Sequence, residues 1–340
     1  RRAAREEGAA PFYTGRIADE IVSVLVESGG VISHADLAEH QSEWVDPIRL
    51  DYNGVQVYEC PPNGQGLAAL IALNVLRHLD RPADRAQAYH YMIESMRVGF
   101  AEGNRHIADP EFYAVPVAEL LSSDYGARRA ANLNPDRRAT TIGPAADVGT
   151  DTVYFCVVDA EGNACSFINS NYQGFGTGIV PRGCGFSLQN RGKGFRLDPT
   201  HPNAIEPGKR PYHTIIPGMA LRRDRSLLAP FGVMGGFMQP QGHLQVIQAL
   251  VDEGIDPQGA LDRPRFQIAD ADPEGAVLFE SESDPEVAAE LSEKGHDIRP
   301  VSGRRRYVFG LGQIILRDEQ GILWGGSDPR GDGCAKSAMV

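Results

Sequence analysis

A threonine stands where a loose, small-residue segment meets an apolar strand pattern. Thr152 follows Asp147-Val-Gly-Thr-Asp151 and opens the run Thr-Val-Tyr-Phe-Cys-Val-Val. If the bond between Asp151 and Thr152 were cut, residue 152 would gain an α-amine with a pKa of about 8, which can take the proton of its own hydroxyl group. One residue would then supply both nucleophile and base for acyl transfer. Because threonine is common at strand starts, its position alone leaves a structural role open.

Signatures of other chemistries are absent from the sequence. It contains no His-Glu-x-x-His, no Walker loop and no Gly-x-Ser-x-Gly elbow. The glycine-rich pieces Gly174-Phe-Gly-Thr-Gly178 and Gly232-Val-Met-Gly-Gly236 lack the strand, spacing and lysine of a nucleotide loop. The five cysteines are scattered and form no Cys-x-x-Cys pair, which argues against a zinc site and a disulfide framework. We therefore expect reduced thiols and no metal.

Composition narrows the choice of partners and compartment. With 340 residues, 42% of them hydrophobic, the chain can form one large domain or two intimate halves. A net charge of −12 disfavours nucleic acid. No apolar run is long enough to span a membrane, and the first residues lack an apolar signal core, so we expect a cytoplasmic protein with no membrane partner. The absence of an initiator Met suggests a chain that begins within a larger protein.

The elements that would position the threonine change in character along the chain. Residues up to 150 read mainly as helices, interrupted by a hairpin at Asn53-Gly54 and ending in an exposed linker from Asn132 to Gly149. Strands begin at Thr152, and the nearly continuous apolar run there predicts a strand buried on both faces. Helical spacing from Ile17 to Leu25 is followed by a stop at Gly29-Gly30, and a second helix is predicted to start at Ser33. Further helices are predicted at about 66–79, 84–103, 116–132, 241–252, 257–262 and 285–294, and strands at 48–58, 152–158, 164–170, 214–222, 228–233, 306–317 and 321–325. This order suits a layered α+β sandwich.

A set of short motifs carries a family resemblance over essentially the whole chain. The motifs are Phe12-Tyr13-Thr-Gly, Gly29-Gly30-Val-Ile-Ser with Asp36-Leu37, Gly54-Val-Gln-Val-Tyr58 with Pro61-Pro62, Asp109-Pro110, Thr152 to Asn163, Gly174 to Gly178, Lys209-Arg210-Pro211, Gly235-Gly236 and Ser327-Asp328-Pro329-Arg330. In order and spacing the chain resembles the γ-glutamyltranspeptidase family. The resemblance implies a four-layer αββα N-terminal-nucleophile hydrolase fold. It also implies a proenzyme that cleaves itself between Asp151 and Thr152, after which the large and small subunits stay associated.

The same resemblance assigns domains and site residues. Residues 1–151 would be the C-terminal part of the large subunit, and residues 152–340 the small catalytic subunit. Thr152 matches the nucleophile and Ser170 the hydroxyl residue that orients it. Gly235 and Gly236 match the glycine pair whose N–H groups form the oxyanion hole, although an ordinary turn would also explain them. No metal or organic cofactor is required.

The resemblance weakens at the positions that bind a glutamyl substrate. Tyr172 replaces an Asn, Arg191 and Gly194 replace a Gln and an Asp, and His213-Thr214 replace two serines. The acidic anchor for a substrate ammonium is lost, whereas an arginine prefers a carboxylate. We therefore expect the small-molecule substrate to be an acidic amide without an α-amino group, such as a dicarboxylic monoamide or an oxamate-like amide. Arg191 could instead pair with a neighbouring acid, and His213 could be a core histidine.

Other activities stay open at this stage. They are a classical glutathione hydrolase or γ-glutamyl transferase, a glutaryl-type cephalosporin acylase, and an inactive or incomplete family member.

Overall fold

The computed structural model describes residues 8–139, 151–280 and 284–337; of Asp151 it describes the backbone only. Residues 140–149 of the predicted linker therefore lie outside the described part. In chain order the elements are α1 (Ala10–Tyr13), α2 (Arg16–Glu27), α3 (His34–Ala38), β1 (Ile48–Tyr52), β2 (Val55–Glu59), α4 (Gly66–Leu76), α5 (Arg85–His106), α6 (Val117–Leu120), α7 (Ser123–Ala131), β3 (Asp151–Val158), β4 (Ala164–Tyr172), β5 (Gly218–Arg222), β6 (Leu227–Met234), α8 (Met238–Ile247), α9 (Pro257–Asp262), β7 (Phe266–Ile268), β8 (Val277–Phe279), α10 (Pro285–Glu293), β9 (Ile298–Pro300), β10 (Leu311–Arg317) and β11 (Leu323–Ser327).

The central sheet joins strands from both sides of the predicted cleavage point. Its six strands follow the order β1-β2-β5-β6-β10-β11, and all neighbours are antiparallel. The hairpin β1–β2 turns at Asn53-Gly54 as predicted, with both residues at positive φ. Because β2 pairs with β5, the halves before and after residue 151 share one hydrogen-bonded sheet.

The two faces of this sheet are covered by different layers, as adjacent residues of β6 show. A Cβ atom added to Gly232 would lie 2.5 Å from the ring of Tyr154 in β3, whereas the neighbouring Val233 packs against Gly242 of α8. Since successive residues of a strand point to opposite faces, helices cover one face and the β3–β4 hairpin covers the other. The helix layer includes α4, whose middle is buried on all sides, and α5.

The β3–β4 hairpin corrects one prediction. We predicted a strand buried on both faces, but Val153, Phe155 and Val157 are exposed in β3. Thr152 and Tyr154 alternate with them and are buried. The apolar run therefore covers a strand with one packed face, because the hairpin packs on the large sheet through that side only.

Several predicted boundaries were also wrong. Residues 303–309 form a 3-10 helix, so β10 begins only at Leu311. The predicted helix 116–132 is broken into α6 and α7, with Ser122 capping the second helix. A small sheet of β7, β8 and β9 was missed, because strands of three residues give no readable alternation.

The class predicted from sequence, α+β, is confirmed. Within the described residues, the helices, the six-stranded sheet and the β3–β4 hairpin form three successive layers, α, β and β, of the predicted αββα order. In the parts of the chain that the structure describes, no helix combines the length and apolarity needed to cross a membrane.

Candidate active site

Thr152 and Ser170 face each other across the β3–β4 hairpin. The Thr152 hydroxyl donates to Ser170 Oγ over 3.0 Å, and Thr152 is only 4% exposed. The two residues are cross-strand neighbours, and the register shifts by one residue between Thr152 and Asp151. Such a bulge beside a functional group re-aims side chains without breaking the sheet. The structure thus places the predicted nucleophile and its predicted partner in hydrogen-bond contact.

Tyr172 continues the line of contacts from Ser170. Its N–H donates to Ser170 Oγ over 2.8 Å, and its φ of 77° is unusual for a residue with a side chain. This backbone conformation ends β4 and leaves the Tyr172 ring buried. The ring lies beneath the guanidinium of Arg191, with 4.7 Å between the Arg191 Cζ atom and the ring centroid.

Arg191 is a buried cation without a carboxylate partner in the described chain. It is 5% exposed, and its Nη1 donates to Thr214 Oγ1 over 2.5 Å. Its Nη2 is buried and has no hydrogen-bond partner among the described residues. Burial lowers the pKa of Arg191 to about 10, so the side chain is still charged near neutral pH. The alternative of pairing with a neighbouring acid therefore finds no candidate in residues 8–139, 151–280 and 284–337.

His213 adds no second charge to the site. Burial, and then the positive charge of Arg191, lower the pKa of His213 to about 3, so the imidazole is neutral. The His213 backbone is held between the carbonyl of Asn63 and the N–H of Gln65, each at 2.9 Å. It follows that Arg191 alone supplies the positive charge at this point.

Gly194 explains why an acid is missing from its position. A Cβ atom there would lie 2.6 Å from the carbonyl oxygen of Tyr212. An aspartate at residue 194 would require the backbone around Tyr212 to move. The acidic anchor expected of a glutamyl-binding site is thus excluded by packing as well as by sequence.

Gly235 and Gly236 turn the chain from β6 into α8. Their φ values are 140° and 58°, which favour glycine. Both residues are buried, yet within the described residues neither N–H has a hydrogen-bond acceptor. Buried N–H groups without partners are rare in folded proteins. The pair also lies beside the N-terminus of α8, where the helix dipole favours negative charge. This arrangement suits an oxyanion hole.

Gln65 connects the Thr214 segment to the Gly235-Gly236 loop, and it was not predicted from the sequence. Its Nε2 donates to the carbonyl oxygens of Thr214 and Gly236, and it is fully buried. The predicted residues therefore form one continuous set of contacts, which runs from Thr152 through Ser170, Tyr172, Arg191 and Thr214 to Gln65 and Gly236. The available signal was a glutamine between two glycines at the start of an otherwise apolar helix.

Two of the other motifs are structural. Asp328 binds Arg265, Arg330 and the N–H of Gly312, and Arg330 also pairs with Glu280. Arg265 donates to the carbonyl of Gly310. Gly310 packs against Met234 at the end of β6 and against the adjacent Gly235. The Ser327-Asp328-Pro329-Arg330 motif thus supports the loop rather than lining the site.

The Lys209-Arg210-Pro211 motif ties the site to the first half of the chain. The Asp109 carboxylate accepts from the Arg210 N–H over 2.7 Å, and Asn63 donates to the Pro211 carbonyl over 2.6 Å. These contacts fix the segment that carries His213 and Thr214.

Comparison with known proteins identifies the family. The gamma-glutamyltranspeptidase family matches residues 2–338, and the chain belongs to this family. Its fold is the N-terminal-nucleophile hydrolase fold. The crystal structure of a cephalosporin acylase from Bacillus halodurans matches this fold with a TM-score of 0.90 and 43% sequence identity. The match covers 100% of this chain and 61% of the acylase chain.

Among curated proteins the particular relatives differ in activity. The chain is 35% identical to a glutathione hydrolase-like YwrD proenzyme of Bacillus subtilis, over 97% of this chain and 63% of the relative. It is 32% identical to an oxamate amidohydrolase proenzyme of Klebsiella pneumoniae, over 97% of this chain and 62% of the relative. The chain therefore spans less than two thirds of the length of these relatives.

Proposed function

We propose that the protein containing this chain is a self-cleaving amidohydrolase or acyltransferase whose nucleophile is Thr152. In this proposal residues 1–151 end the large subunit and residues 152–340 form the small subunit. The observation that carries the proposal is the buried contact of Thr152 with Ser170. Contacts through Tyr172, Arg191, Thr214 and Gln65 link this pair to Gly235 and Gly236, whose N–H groups have no acceptor among the described residues.

The chemistry follows from these groups. Once residue 152 has a free α-amine, that amine takes the hydroxyl proton as Thr152 Oγ1 bonds to the carbonyl carbon of an amide. The carbonyl oxygen becomes an anion that accepts hydrogen bonds from the N–H groups of Gly235 and Gly236. When the C–N bond breaks, the ammonium proton passes to the leaving nitrogen, and an ester to Thr152 remains. Water then attacks the ester, gives a proton to the amine, and releases the acid as Oγ1 regains its proton.

The acyl group of the substrate is proposed to carry a carboxylate. A buried guanidinium with a free Nη2 is costly unless an anion pairs with it. No acid stands where a substrate ammonium would bind, because Gly194 packs against a carbonyl. These features favour an acidic amide without an α-amino group.

The relatives are compatible with this class of substrate. One is named an oxamate amidohydrolase proenzyme, and oxamate is a small acid with an amide. The 43% identity and TM-score of 0.90 to a cephalosporin acylase favour a second candidate, the hydrolysis of an acidic acyl side chain from a larger amine. A classical glutathione hydrolase is less well supported, because such a substrate brings an ammonium to a site with a net positive charge.

The substrate proposal is tested with three anilides that share a leaving group. Succinyl-p-nitroanilide carries an acid, butyryl-p-nitroanilide carries none, and γ-glutamyl-p-nitroanilide carries an acid and an α-amino group on a chain that is one carbon longer than the succinyl chain. We expect kcat/KM to be highest for the succinyl compound, by about tenfold or more over the butyryl compound, since charge-assisted hydrogen bonds contribute about 1.5–3 kcal/mol. Preference for the γ-glutamyl compound would favour a classical transferase, and no turnover of any anilide would favour an inactive family member.

A further inference from the structure

Gln65 lies at the junction of the two halves of the proposed site. We propose that Gln65 is a positioning residue. It fixes the loop of Gly235 and Gly236, called the oxyanion loop below, relative to Thr214, the hydrogen-bond partner of Arg191; this inference rests on the function proposed above. Gln65 belongs to the part of the chain before residue 151, whereas both of its carbonyl partners come after that residue.

The hydrogen bonds of Gln65 use the whole amide. The two N–H bonds of Nε2 go to Thr214 O and Gly236 O, the latter over 2.8 Å, and Oε1 faces the Tyr212 hydroxyl at 3.4 Å. The Gln65 backbone N–H donates to His213 O over 2.9 Å. Because an amide offers two donors from one planar group, the two carbonyls are held at a fixed separation.

Each carbonyl belongs to a residue that also carries a functional group of the site. Thr214 O belongs to the residue whose Oγ1 accepts from Arg191, so this bond fixes the partner of the buried cation. Gly236 O belongs to the residue whose N–H is proposed to bind the oxyanion. Gly236 sits at φ 58°, and Gln65 fixes the peptide plane that follows it. Gln65 therefore sets the distance between the point where charge develops and the point where the substrate carboxylate binds.

The local backbone is built to bring Gln65 to this position. A Cβ atom on Gly64 would lie 2.9 Å from Pro61 O, and one on Gly66 would lie 2.5 Å from Glu59 Cβ. The two flanking glycines thus allow a tight turn directly after β2. Gln65 is the N-cap residue of α4, and its side chain makes no capping hydrogen bond to this helix.

The test compares Gln65→Leu with Gln245→Leu. Gln245 is the matched control because it is also a buried glutamine whose Nε2 bridges two carbonyls, those of Gln241 and Phe266, outside the site. Both variants lose two hydrogen bonds donated by Nε2 and one accepted by Oε1, from the Tyr212 hydroxyl at Gln65 and from the Phe266 N–H at Gln245, so both should lose similar stability. We expect only Gln65→Leu to change the kinetics. On the butyryl and succinyl anilides its kcat should fall by about tenfold to a hundredfold, which is up to the effect of losing one oxyanion donor. Its KM should rise for the succinyl compound alone.

A crystal structure of Gln65→Leu separates this inference from the proposed function. We expect the peptide after Gly236, or the contact between Thr214 and Arg191, to shift in that variant whether or not the enzyme turns over anilides. Equal kinetic losses in Gln65→Leu and Gln245→Leu, or an unchanged loop and unchanged contact in the variant structure, would overturn the positioning role. Failure of the wild-type chain to hydrolyse amides, with the loop displaced in the variant, would overturn the function alone.

Discussion

At the scale of single residues, the proposed choice of substrate depends on the charge of Arg191. An uncompensated buried charge destabilises a fold, and proteins retain one mainly where a ligand or partner neutralises it. His213 cannot relieve or double this charge, since its pKa of about 3 keeps it neutral through the physiological range. With a pKa of about 10, Arg191 keeps its charge until the solution becomes strongly basic.

Replacing this arginine should separate acidic from neutral substrates. In Arg191→Gln, which keeps a donor for Thr214, we expect KM for succinyl-p-nitroanilide to rise by about tenfold to a hundredfold through loss of the charge-assisted bond. The KM for butyryl-p-nitroanilide should stay near its wild-type value. Steady-state kinetics on both compounds measure the difference.

The control is Lys193→Gln, which removes an exposed positive charge two residues away in the same short helical turn. It should alter the succinyl KM by less than about threefold, because an exposed charge is screened by solvent. Equal effects of the two substitutions, or equal losses on both anilides in Arg191→Gln, would mean that Arg191 does not bind the acid.

The sequence predicted the residues proposed to react, but not Gln65, which is proposed to position them. Thr152, Ser170 and the paired glycines were identified through a family resemblance, and their types report the chemistry directly. Gln65 was missed because its importance depends on two backbone carbonyls from residues 149 and 171 positions further along the chain. Nothing in the local pattern around residue 65 shows which carbonyls will come near it.

At the scale of elements, a buried histidine pair ties α5 to the turn between α10 and β9. His90 Nε2 donates to the Asn134 carbonyl over 2.8 Å, so His90 Nδ1 must accept from His296 Nε2, also at 2.8 Å. Glu94 lies beside the pair with an oxygen 4.0 Å from His296 Nδ1. A hydrogen bond between two neutral rings, next to Arg97, describes this cluster better than a cation site does.

This pair predicts a loss of stability in acid. Burial, with nearby Arg97, Arg138 and Lys294, lowers the pKa of His296 to about 2, and burial lowers the pKa of His90 as well. Below about pH 6.5, His296 is protonated in the unfolded chain but not in the folded chain, so its contribution makes the free energy of unfolding fall by about 1.4 kcal/mol per pH unit. In His296→Gln, which can still donate to His90, this slope should decrease by about one histidine's share. Urea unfolding at pH 7.5, 6 and 5 measures it.

His34→Gln serves as the control, because His34 on α3 and the Asp19 carboxylate that it contacts at 3.1 Å are both exposed to solvent. We expect its slope to match that of the wild-type chain. An unchanged slope in His296→Gln would show that the buried pair does not control the acid sensitivity.

Elements marked by a clear local signal were predicted well, whereas the three-residue strands and the burial of β3 were not. The hairpin at Asn53-Gly54 and helix α2 followed from local signals that act within a few residues. The exposure of Val153, Phe155 and Val157 could not be predicted, because the same apolar run fits a strand buried on one face or on two. Tertiary contacts decide between those outcomes.

At the scale of the whole molecule, the strand order determines what cleavage can do. β1 and β2 precede residue 151, and β5, β6, β10 and β11 follow it within the same sheet. Cutting the chain before Thr152 would remove no hydrogen bond of that sheet. The contacts of Gln65, Asn63 and Asp109 with residues 209–236 would also hold the two pieces together. We therefore expect the pieces to separate only under denaturing conditions.

The central claim is that Thr152 becomes an N-terminal nucleophile, and the state of the Asp151–Thr152 bond tests it most directly. Intact mass and N-terminal sequencing should be applied to the full reading frame purified under native conditions, alongside Thr152→Ala and Thr177→Ala, the latter a matched loss of an exposed hydroxyl outside the site. We predict a fragment beginning Thr-Val-Tyr-Phe in the wild type and in Thr177→Ala, co-eluting with its partner on gel filtration, and an uncleaved chain in Thr152→Ala. A wild-type protein that remains one chain, or a Thr152→Ala variant that is still cut at this bond, would contradict the account.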